Sequence, residues 1–387
     1  MLEGVNVALG TSGSIAAVKT VELAHELRRE GASVRAVLTD AATGIVHPWA
    51  VEFATGNDVV TEITGRIEHV ELCGREGWAD VLLVAPATAN TVGKMAAAID
   101  DTPVTTAATT ALGAGVPVVV APAMHEPMYD HPGVLASIET LEEWGVTFVD
   151  PRVEEGKAKI AAEADIVTET TRRSTPNPLE GRTVVVTSGA TNERIDPIRV
   201  LTNRSSGRTG RAVARACHVA GAEVVLVHDG PGVGYAEVRR AESATEMLEA
   251  VSAAVEERDA DALVSAAAIS DYTVEASSEK IKSGKELTLE LAPTPKLIDT
   301  VREAHPDLTV VGFKAETQGG ESALIERARE TLERAGLAFV VANHAGVMGG
   351  EETRAVLVRQ ESTRAFEGSK SELGRLVTGE LASELER

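Results

Sequence analysis

Two apolar rhythms alternate along the chain. Near-continuous hydrophobic runs at Val5–Leu9, Ser33–Leu38, Val81–Ala85 and Val116–Ala121 end at turn residues, as expected of parallel strands covered on both faces. Helical spacing fills the gaps and predicts helices over Ile15–Glu30 and about 88–98, 103–111, 133–144 and 161–173. The small-residue loop Gly10-Thr11-Ser12-Gly13-Ser14 joins the first strand to the first helix and Gly31 stops that helix, which makes the opening a βαβ unit. The first half therefore reads as doubly wound α/β. Between Arg172 and Gly181 two prolines and several polar residues cannot continue a helix, so we expect one domain over 1–173, a linker over 174–181 and a second domain over 182–387. The second half starts another βαβ unit: strand Thr183–Thr187, polar loop Ser188–Ser206, helix Gly207–Ala220 and strand Glu223–Val227. Further strands are expected at Ala262–Ala267, Leu287–Leu291, Thr309–Phe313, Ala338–Ala342 and Ala355–Arg359. The halves share this α/β architecture without a residue-level repeat.

Composition fits that picture and narrows the partners. A chain of 387 residues suits two domains, and 43% hydrophobic with 25% charged residues is the composition of ordered globular structure. No apolar run is long enough to cross a bilayer, and Met1-Leu2-Glu3-Gly4 lacks the basic start and apolar core of a signal peptide, so a cytoplasmic location is expected. Cys73 and Cys217, one in each half, argue against a disulfide framework and against a multi-cysteine metal site. A net charge of −22 disfavours nucleic acid and anionic membranes as partners. Any phosphorylated ligand must then be met by local Lys, Arg and N–H groups. Few lysines beside many acidic residues also suit a high-salt cytoplasm.

Taken alone, the chemistry-bearing loops are ambiguous. Gly10–Ser14 opens a helix and could hold a phosphate on its N–H groups, or could be a tight packing turn. It is neither Gly-x-Gly-x-x-Gly nor a P-loop. Asp196-Pro197-Ile198-Arg199 followed by Thr202 to Gly210 places a hydroxyl-rich loop before a helix starting near Arg208, suited to an anion or to simple capping.

Four ordered segments in the first half resemble the homo-oligomeric flavin-containing cysteine decarboxylases. Gly10 to Lys19 matches that family's Gly-x-Ser-Gly-x-Ile-Ala-x-x-Lys, and Glu68-His69-Val70-Glu71-Leu72 before Trp78-Ala79-Asp80 resembles its active-site histidine segment. Pro86-Ala87-Thr88-Ala89-Asn90 resembles its Pro-Ala-Ser-Ala-Asn loop, and Pro122 to Tyr129 its Pro-x-Met-Asn-x-x-Met motif. The resemblance implies a flavodoxin-like domain holding FMN through Gly10, Ser12, Gly13, Ser14, Thr39, Pro86, Ala87, Thr88, Asn90, Thr105 and Met124. It also implies that flavin oxidises a cysteine-derived thiol to a thioaldehyde, an electron sink that lets CO2 leave before the product is reduced again. His69 would handle the thiol proton. Asn90 could equally cap a helix. Two positions depart from the pattern. His125 stands where the family has a carboxylate-binding Asn, and Glu154-Glu155-Gly156-Lys157-Ala158-Lys159-Ile160 replaces a flap that carries a proton-donating Cys, which makes Lys157 or Lys159 the candidate donor.

The second half resembles the phosphopantothenate–cysteine ligases, in a Rossmann-like domain. The matching segments are Asp196–Arg199, Thr202–Gly210, Ala266 to Tyr272, Glu279-Lys280-Ile281-Lys282, Gly312 to Thr317 and Ala342-Asn343. The resemblance implies nucleotide and substrate contacts at Arg199, Asn203, Ser205, Ser206, Gly207, Ala267, Asp271, Lys280, Phe313, Lys314 and Asn343. Asp271 would meet Mg2+ or Mn2+ on the triphosphate, Lys280 would neutralise phosphate charge and Asn203 would hold the activated acyl group.

Together the two resemblances imply a fused enzyme of coenzyme A synthesis. It would ligate 4′-phosphopantothenate to L-cysteine with CTP, which bacterial relatives of this fused layout use whereas some stand-alone eukaryotic relatives use ATP, and then decarboxylate the product. Trimers around the flavin and dimers of the ligase, and so a dodecamer, are the implied assembly. Two other readings share the fold. A flavin prenyltransferase or regulatory flavoprotein is opposed by His69 and the fused second half, and an NAD(P) oxidoreductase by the missing Gly-x-Gly-x-x-Gly.

Overall fold

Every residue from Val81 to Ala87 is buried, yet neighbouring side chains enter different cores. Val81, Leu83 and Ala85 join Leu9, Leu23, Leu27 and Ile166, whereas Leu82 and Val84 join Leu72, Val104, Ala108 and Leu141. A strand with no wet face has to lie between two helical layers. The computed structural model describes residues 1–154, 157–282, 284, 286–316, 320–344 and 352–387, with backbone alone at 153, 154, 157, 158 and 344. It divides into two units, Met1–Pro176 and Asn177–Arg387.

In the first unit five parallel strands lie in the order Ser33–Leu38, Asn6–Thr11, Val81–Ala87, Val118–Pro122 and Thr147–Phe148. This is a flavodoxin-like order, whose direction of winding reverses between Asn6–Thr11 and Val81–Ala87. Helices Thr20–Arg29 and Glu163–Ser174 cover one face, and Ala89–Ala96, Pro103–Ala114 and Pro132–Glu143 the other. The single helix expected over Ile15–Glu30 is two pieces, a 3-10 turn at Ile15–Lys19 and then Thr20–Arg29. The Ser14 carbonyl accepts from Ala17 N at 2.8 Å, and this tighter i to i+3 bonding turns Ala17 into the core while Ile15 and Val18 stay exposed. Met124–His125, Lys157–Lys159 and Arg152–Glu154 form a small antiparallel sheet.

The second unit has an eight-stranded sheet in the order Glu237–Arg239, Glu223–Val227, Thr183–Thr187, Ala262–Ser265, Thr309–Glu316, Phe339–His344, Glu352–Val358 and Thr363–Ser369. The first six run parallel in a Rossmann-like order, and the last two close it antiparallel. Helices Arg208–Val219 and Lys370–Leu385 pack on one face, and Ala244–Glu257, Leu297–Ala304 and Glu321–Ala335 on the other.

Two expectations fail in this unit. Leu287–Leu291 is not a strand: only Leu291–Pro293 pairs, with Tyr272–Val274, and both Leu287 and Leu291 are about half exposed. Their alternating pattern has no layer to cover it, and alternation without burial does not hold a strand. The loop Ser188–Ser206 in turn contains a short hairpin, Asn192–Arg194 with Val200–Thr202. No helix among the described residues is long and apolar enough to cross a membrane.

Candidate flavin and nucleotide sites

Ligands of open α/β sheets bind beyond the C-terminal ends of the strands, where the winding reverses. In the first unit that point lies between Gly10–Ser14 and Pro86–Asn90. Ser12 N and Ser12 Oγ both donate to the Pro86 carbonyl, at 3.1 and 2.8 Å, and Ser12 Oγ accepts from Thr88 N at 3.0 Å. Ser12 is thus a buried stitch between two loops. Gly13 has no room for a side chain, since a Cβ would lie 2.5 Å from Ala41 Cβ, and its N–H has no acceptor among the described residues. Ser14 caps the 3-10 turn and donates to Ala123 O at 3.2 Å, which ties in the loop before Met124.

The other threonines expected at this site are also engaged. Thr39 caps Asp40–Thr43, and Thr105 is reciprocally bonded to Thr102 at the start of Pro103–Ala114. The helix-cap alternative for Asn90 is corrected. Thr88 caps Ala89–Ala96, accepting from Thr91 N at 3.2 Å, while Asn90 lies inside the helix with an exposed side chain and no hydrogen bond among the described residues.

His69 lies on the short helix Glu68–Cys73, entered through Ile67 in the left-handed region at φ 51°. Its Nδ1 is buried with no hydrogen-bond partner among the described residues. No hydrogen bond among the described residues joins it to either loop. Cys73 on the same helix is buried, which pushes its thiol up to about 12, and burial raises Cys217 to about 11; neither is a usable thiolate near neutrality.

The departures from the decarboxylase pattern prove to be neighbours. His125 is exposed, and residue 125 pairs in register with residue 157, as Met124 does with Ala158. Directly paired antiparallel residues share a face. The Lys157 side chain, like Glu155 and Gly156, lies outside the described residues; Lys159 pairs with Arg152 and is half-buried.

In the second unit the reversal lies between Thr187 and Ser265, and the two loops are cross-linked there. Ala267 N donates to Thr187 Oγ1 at 3.1 Å, Ala268 N to Gly189 O at 2.9 Å, and Ser270 N to Thr191 Oγ1 at 2.9 Å. Asn203 Nδ2 donates to Ala268 O at 3.2 Å. Helix Arg208–Val219 begins at Gly207, which has φ 69° and no side-chain cap. A Cβ there would lie 2.8 Å from Ser188 Oγ, which itself donates to Gly207 O at 2.8 Å. Only glycine fits both the left-handed backbone and that space.

These loops face a cavity of about 920 Å³. Asn203, Ser205, Ser206, Gly207, Ala267, Asp271, Phe313, Lys314 and Asn343 all line it. Arg199 and Lys280 do not. Arg199 donates to Ile281 O at 2.6 Å, and the buried Asp196 accepts from Ile198 N, Arg199 N and Ile281 N at 2.8, 2.9 and 3.1 Å. Asp196-Pro197-Ile198-Arg199 therefore anchors the segment carrying the exposed Lys280. Burial alone would raise the Asp196 pKa, but those N–H donors and the Arg199 guanidinium outweigh it and hold the carboxyl below its usual range. Asp271 is exposed and ion-paired with Lys296 at 2.6 Å. Among the described residues no three His, Cys, Asp or Glu side chains converge on a metal position.

Residues 1–175 match the Flavoprotein family, and residues 179–385 match the DNA/pantothenate metabolism flavoprotein C-terminal domain. The chain is 50% identical to the coenzyme A biosynthesis bifunctional protein CoaBC of Thermococcus kodakarensis, over 99% of this chain and 94% of that protein. It belongs to the CoaBC family. Identity to the CoaBC proteins of Methanocaldococcus jannaschii and Bacillus subtilis is 35% in each case, over 97% and 92% of this chain and 93% and 91% of theirs. Membership in this family accounts for a flavoprotein half and a ligase-type half in one chain. It leaves open which further side chains complete the CoaBC cavity. Arg204, Arg208, Lys296, Arg334, Thr353 and Lys370 also line it, and of these only Arg204 and Arg208 stood inside a recognisable motif.

Proposed function

We propose that the second unit joins 4′-phosphopantothenate to L-cysteine at the expense of CTP and that the first unit decarboxylates the product to 4′-phosphopantetheine with FMN. The observation that carries this reading is the cavity beside Asn203–Gly210, because separate ligase-like segments converge on it from three strand ends and one helix start. In the first step the substrate carboxylate attacks the nucleotide α-phosphorus and pyrophosphate leaves; in the second the cysteine amine displaces the nucleotide from the acyl phosphate. N–H groups at the start of Arg208–Val219 and the ammonium of Lys314 face the charge that develops on the departing pyrophosphate. Asn203 Nδ2 gives one proton to Ala268 O, which leaves its second N–H for the acyl oxygen and its carbonyl oxygen for the cysteine amine. Lys280 is exposed and does not line the cavity among the described residues, and its part in neutralising phosphate charge rests on the ligase-like segment that carries it. Mg2+ or Mn2+ would arrive with the nucleotide. The described residues lining the cavity offer it two carboxylates, Asp271 and Asp299, already paired with Lys296 and Arg334, so no step is assigned to a resident metal.

The first unit fits FMN. An unpaired Gly13 N–H suits a phosphate, and the side chain of Asn90 and the buried Nδ1 of His69 are polar groups a ligand can satisfy. Bound flavin supplies the two-electron exchange that activates the cysteine-derived carboxylate for loss of CO2. His69 takes the thiol proton. His125 and Lys157, or Lys159, bind the carboxylate and return a proton after CO2 has gone. Exposed Ile15, Val18, Trp49 and Phe53 support self-association of this unit, with trimers as the proposed form.

The test uses the full chain in high KCl with 4′-phosphopantothenate, cysteine, Mg2+ and CTP or ATP. Yellow protein releasing both pyrophosphate and CO2, faster with CTP, is the expected result; colourless protein releasing neither would overturn it. Full CO2 release by a Lys157→Ala/Lys159→Ala double variant would remove those lysines from the proton step.

A further inference from the structure

Three cations of the second unit's cavity, Lys296, Arg334 and Lys370, lie outside the ligase-like segments, and among the described residues one of them has no ion pair. Lys296 is paired with Asp271 at 2.6 Å, Arg334 with Asp299 at 2.6 Å, and Lys314 with Glu316 at 3.5 Å. Lys370 also lines the cavity and is half-buried, but it makes no ion pair or hydrogen bond among the described residues. Its near neighbour Glu372 is engaged elsewhere, accepting from Ser369 N at 2.7 Å and Ser369 Oγ at 2.8 Å. A protein of net charge −22 has no shortage of carboxylates with which to neutralise it.

A second cation faces it. Arg208 lines the same cavity, and burial, followed by the charge of Arg208, pushes the Lys370 pKa down. The packing of their helices brings the two together. Helices Arg208–Val219 and Lys370–Leu385 touch where a Cβ on Gly374 would lie 2.6 Å from Ala212 O, and again where Cys217 Sγ meets Thr378 Oγ1 at 3.4 Å. Each first contact lies one turn into its helix and the second about one turn further, so the helices run parallel with their N-termini abreast. Two helix starts and two cationic side chains thus lie at one end of the cavity, a setting that favours an anion beside Lys370.

We infer that Lys370, with Arg208, is a phosphoryl-binding residue of the ligase cavity, taking an anionic phosphate group of a substrate. The inference rests on the ligase reading above and adds to it a residue from the far end of the chain. Two phosphoryl groups share this chemistry, the terminal phosphates of the nucleotide and the 4′-phosphate of the acid, and the measurements separate them.

The full chain and its Lys370→Ala and Lys370→Arg variants would be titrated calorimetrically with CTP, inorganic pyrophosphate, 4′-phosphopantothenate and unphosphorylated pantothenate. The pyrophosphate-releasing rate would be followed alongside, and CO2 release from pre-formed phosphopantothenoylcysteine would monitor folding. Loss of one charge-assisted contact predicts about a ten- to hundredfold weaker dissociation constant for one class of phosphorylated ligand. Lys370→Arg should restore most of it, and pantothenate binding should be unmoved. Weakening confined to CTP and pyrophosphate assigns the triphosphate; weakening confined to 4′-phosphopantothenate assigns the 4′-phosphate. Unchanged affinity for all three in Lys370→Ala, or equal weakening of pantothenate, overturns the inference while the ligase reading stands. A wild-type chain that releases no pyrophosphate overturns the ligase reading itself.

Discussion

The two units solve the problem of holding an anionic ligand in opposite ways. In the flavoprotein unit the hydroxyls nearest the winding reversal are turned inward, with Ser12 stitching two loops and Thr39, Thr88 and Thr105 capping helices. What remains for a ligand is backbone N–H and the side chains of Asn90, His69 and His125. In the ligase unit the loops are also cross-linked, but a lined cavity is left between them, and Lys370 lines it with no counter-ion among the described residues. A neutral, backbone-lined cradle suits a cofactor that stays. A cationic cavity suits polyphosphates that must be attracted, neutralised and released against a strongly negative protein.

The sharpest way to break this comparison is to show that the two sites are not separable. His69→Ala should lower CO2 release by about a hundred- to ten-thousandfold, the usual worth of a positioned proton-transfer group, and leave pyrophosphate release unchanged. Lys280→Ala should do the reverse, with a loss of about ten- to hundredfold. Rates of both products measured on one preparation decide the matter. If His69→Ala slows both equally, the imidazole supports the fold and has no role in the proton step.

The contrast was only partly legible in the sequence. Parallel strands buried on both faces are near-continuous apolar runs, so Ser33–Leu38, Thr183–Thr187 and Glu223–Val227 could be read to the residue. The alternation in Leu287–Leu291 was just as clear and misled, because what decides a strand is a layer to pack against, and that is a tertiary fact. Motif loops gave most of the lining of the ligase cavity, since there the residue types are dictated by local backbone and ligand chemistry. Lys370 was illegible for the complementary reason: it stands in an ordinary helix start, and the packing of that helix on Arg208–Val219, at Gly374 on Ala212 and Thr378 on Cys217, carries it to the cavity. Ser12 was legible as a candidate, but its bonds to Pro86 and Thr88 were not, so a stitch and a ligand contact looked the same.

Ser12→Ala sharpens that last distinction. The methyl group can neither donate to Pro86 O nor accept from Thr88 N, and Ser12 N still serves the carbonyl, so Thr88 N–H is the group left unpaired. The expected cost is about 1–3 kcal/mol, seen as earlier flavin release in a thermal or urea titration followed by flavin fluorescence, with ligase rates unmoved. Unaltered flavin release would mean that the stitch contributes nothing to the cradle.

The smallest effect expected concerns Asp196, and its pH dependence has a definite sign. An unperturbed aspartate titrates near about 3.9. The Asp196 carboxyl lies lower because N–H groups of Ile198, Ile281 and Arg199, with the Arg199 guanidinium, overcome the effect of burial. A carboxylate depressed in the folded state contributes its full stabilisation above the ordinary value and loses it only as pH falls through the lowered one. The hold on the Lys280 segment should therefore be constant from pH 7 to pH 5 and fail on the acid side of the ordinary aspartate range. Asp196→Asn keeps one acceptor but loses the charge, and should cost pyrophosphate release about tenfold or less at pH 7, through the charge-assisted bonds to the loop. A pH–rate profile on wild type and variant is the check. A ligase-specific decline already present in wild type between pH 7 and pH 5 would have to come from another group, and equal rates in the two proteins would mean that Arg199 alone positions Lys280 through its bond to Ile281 O.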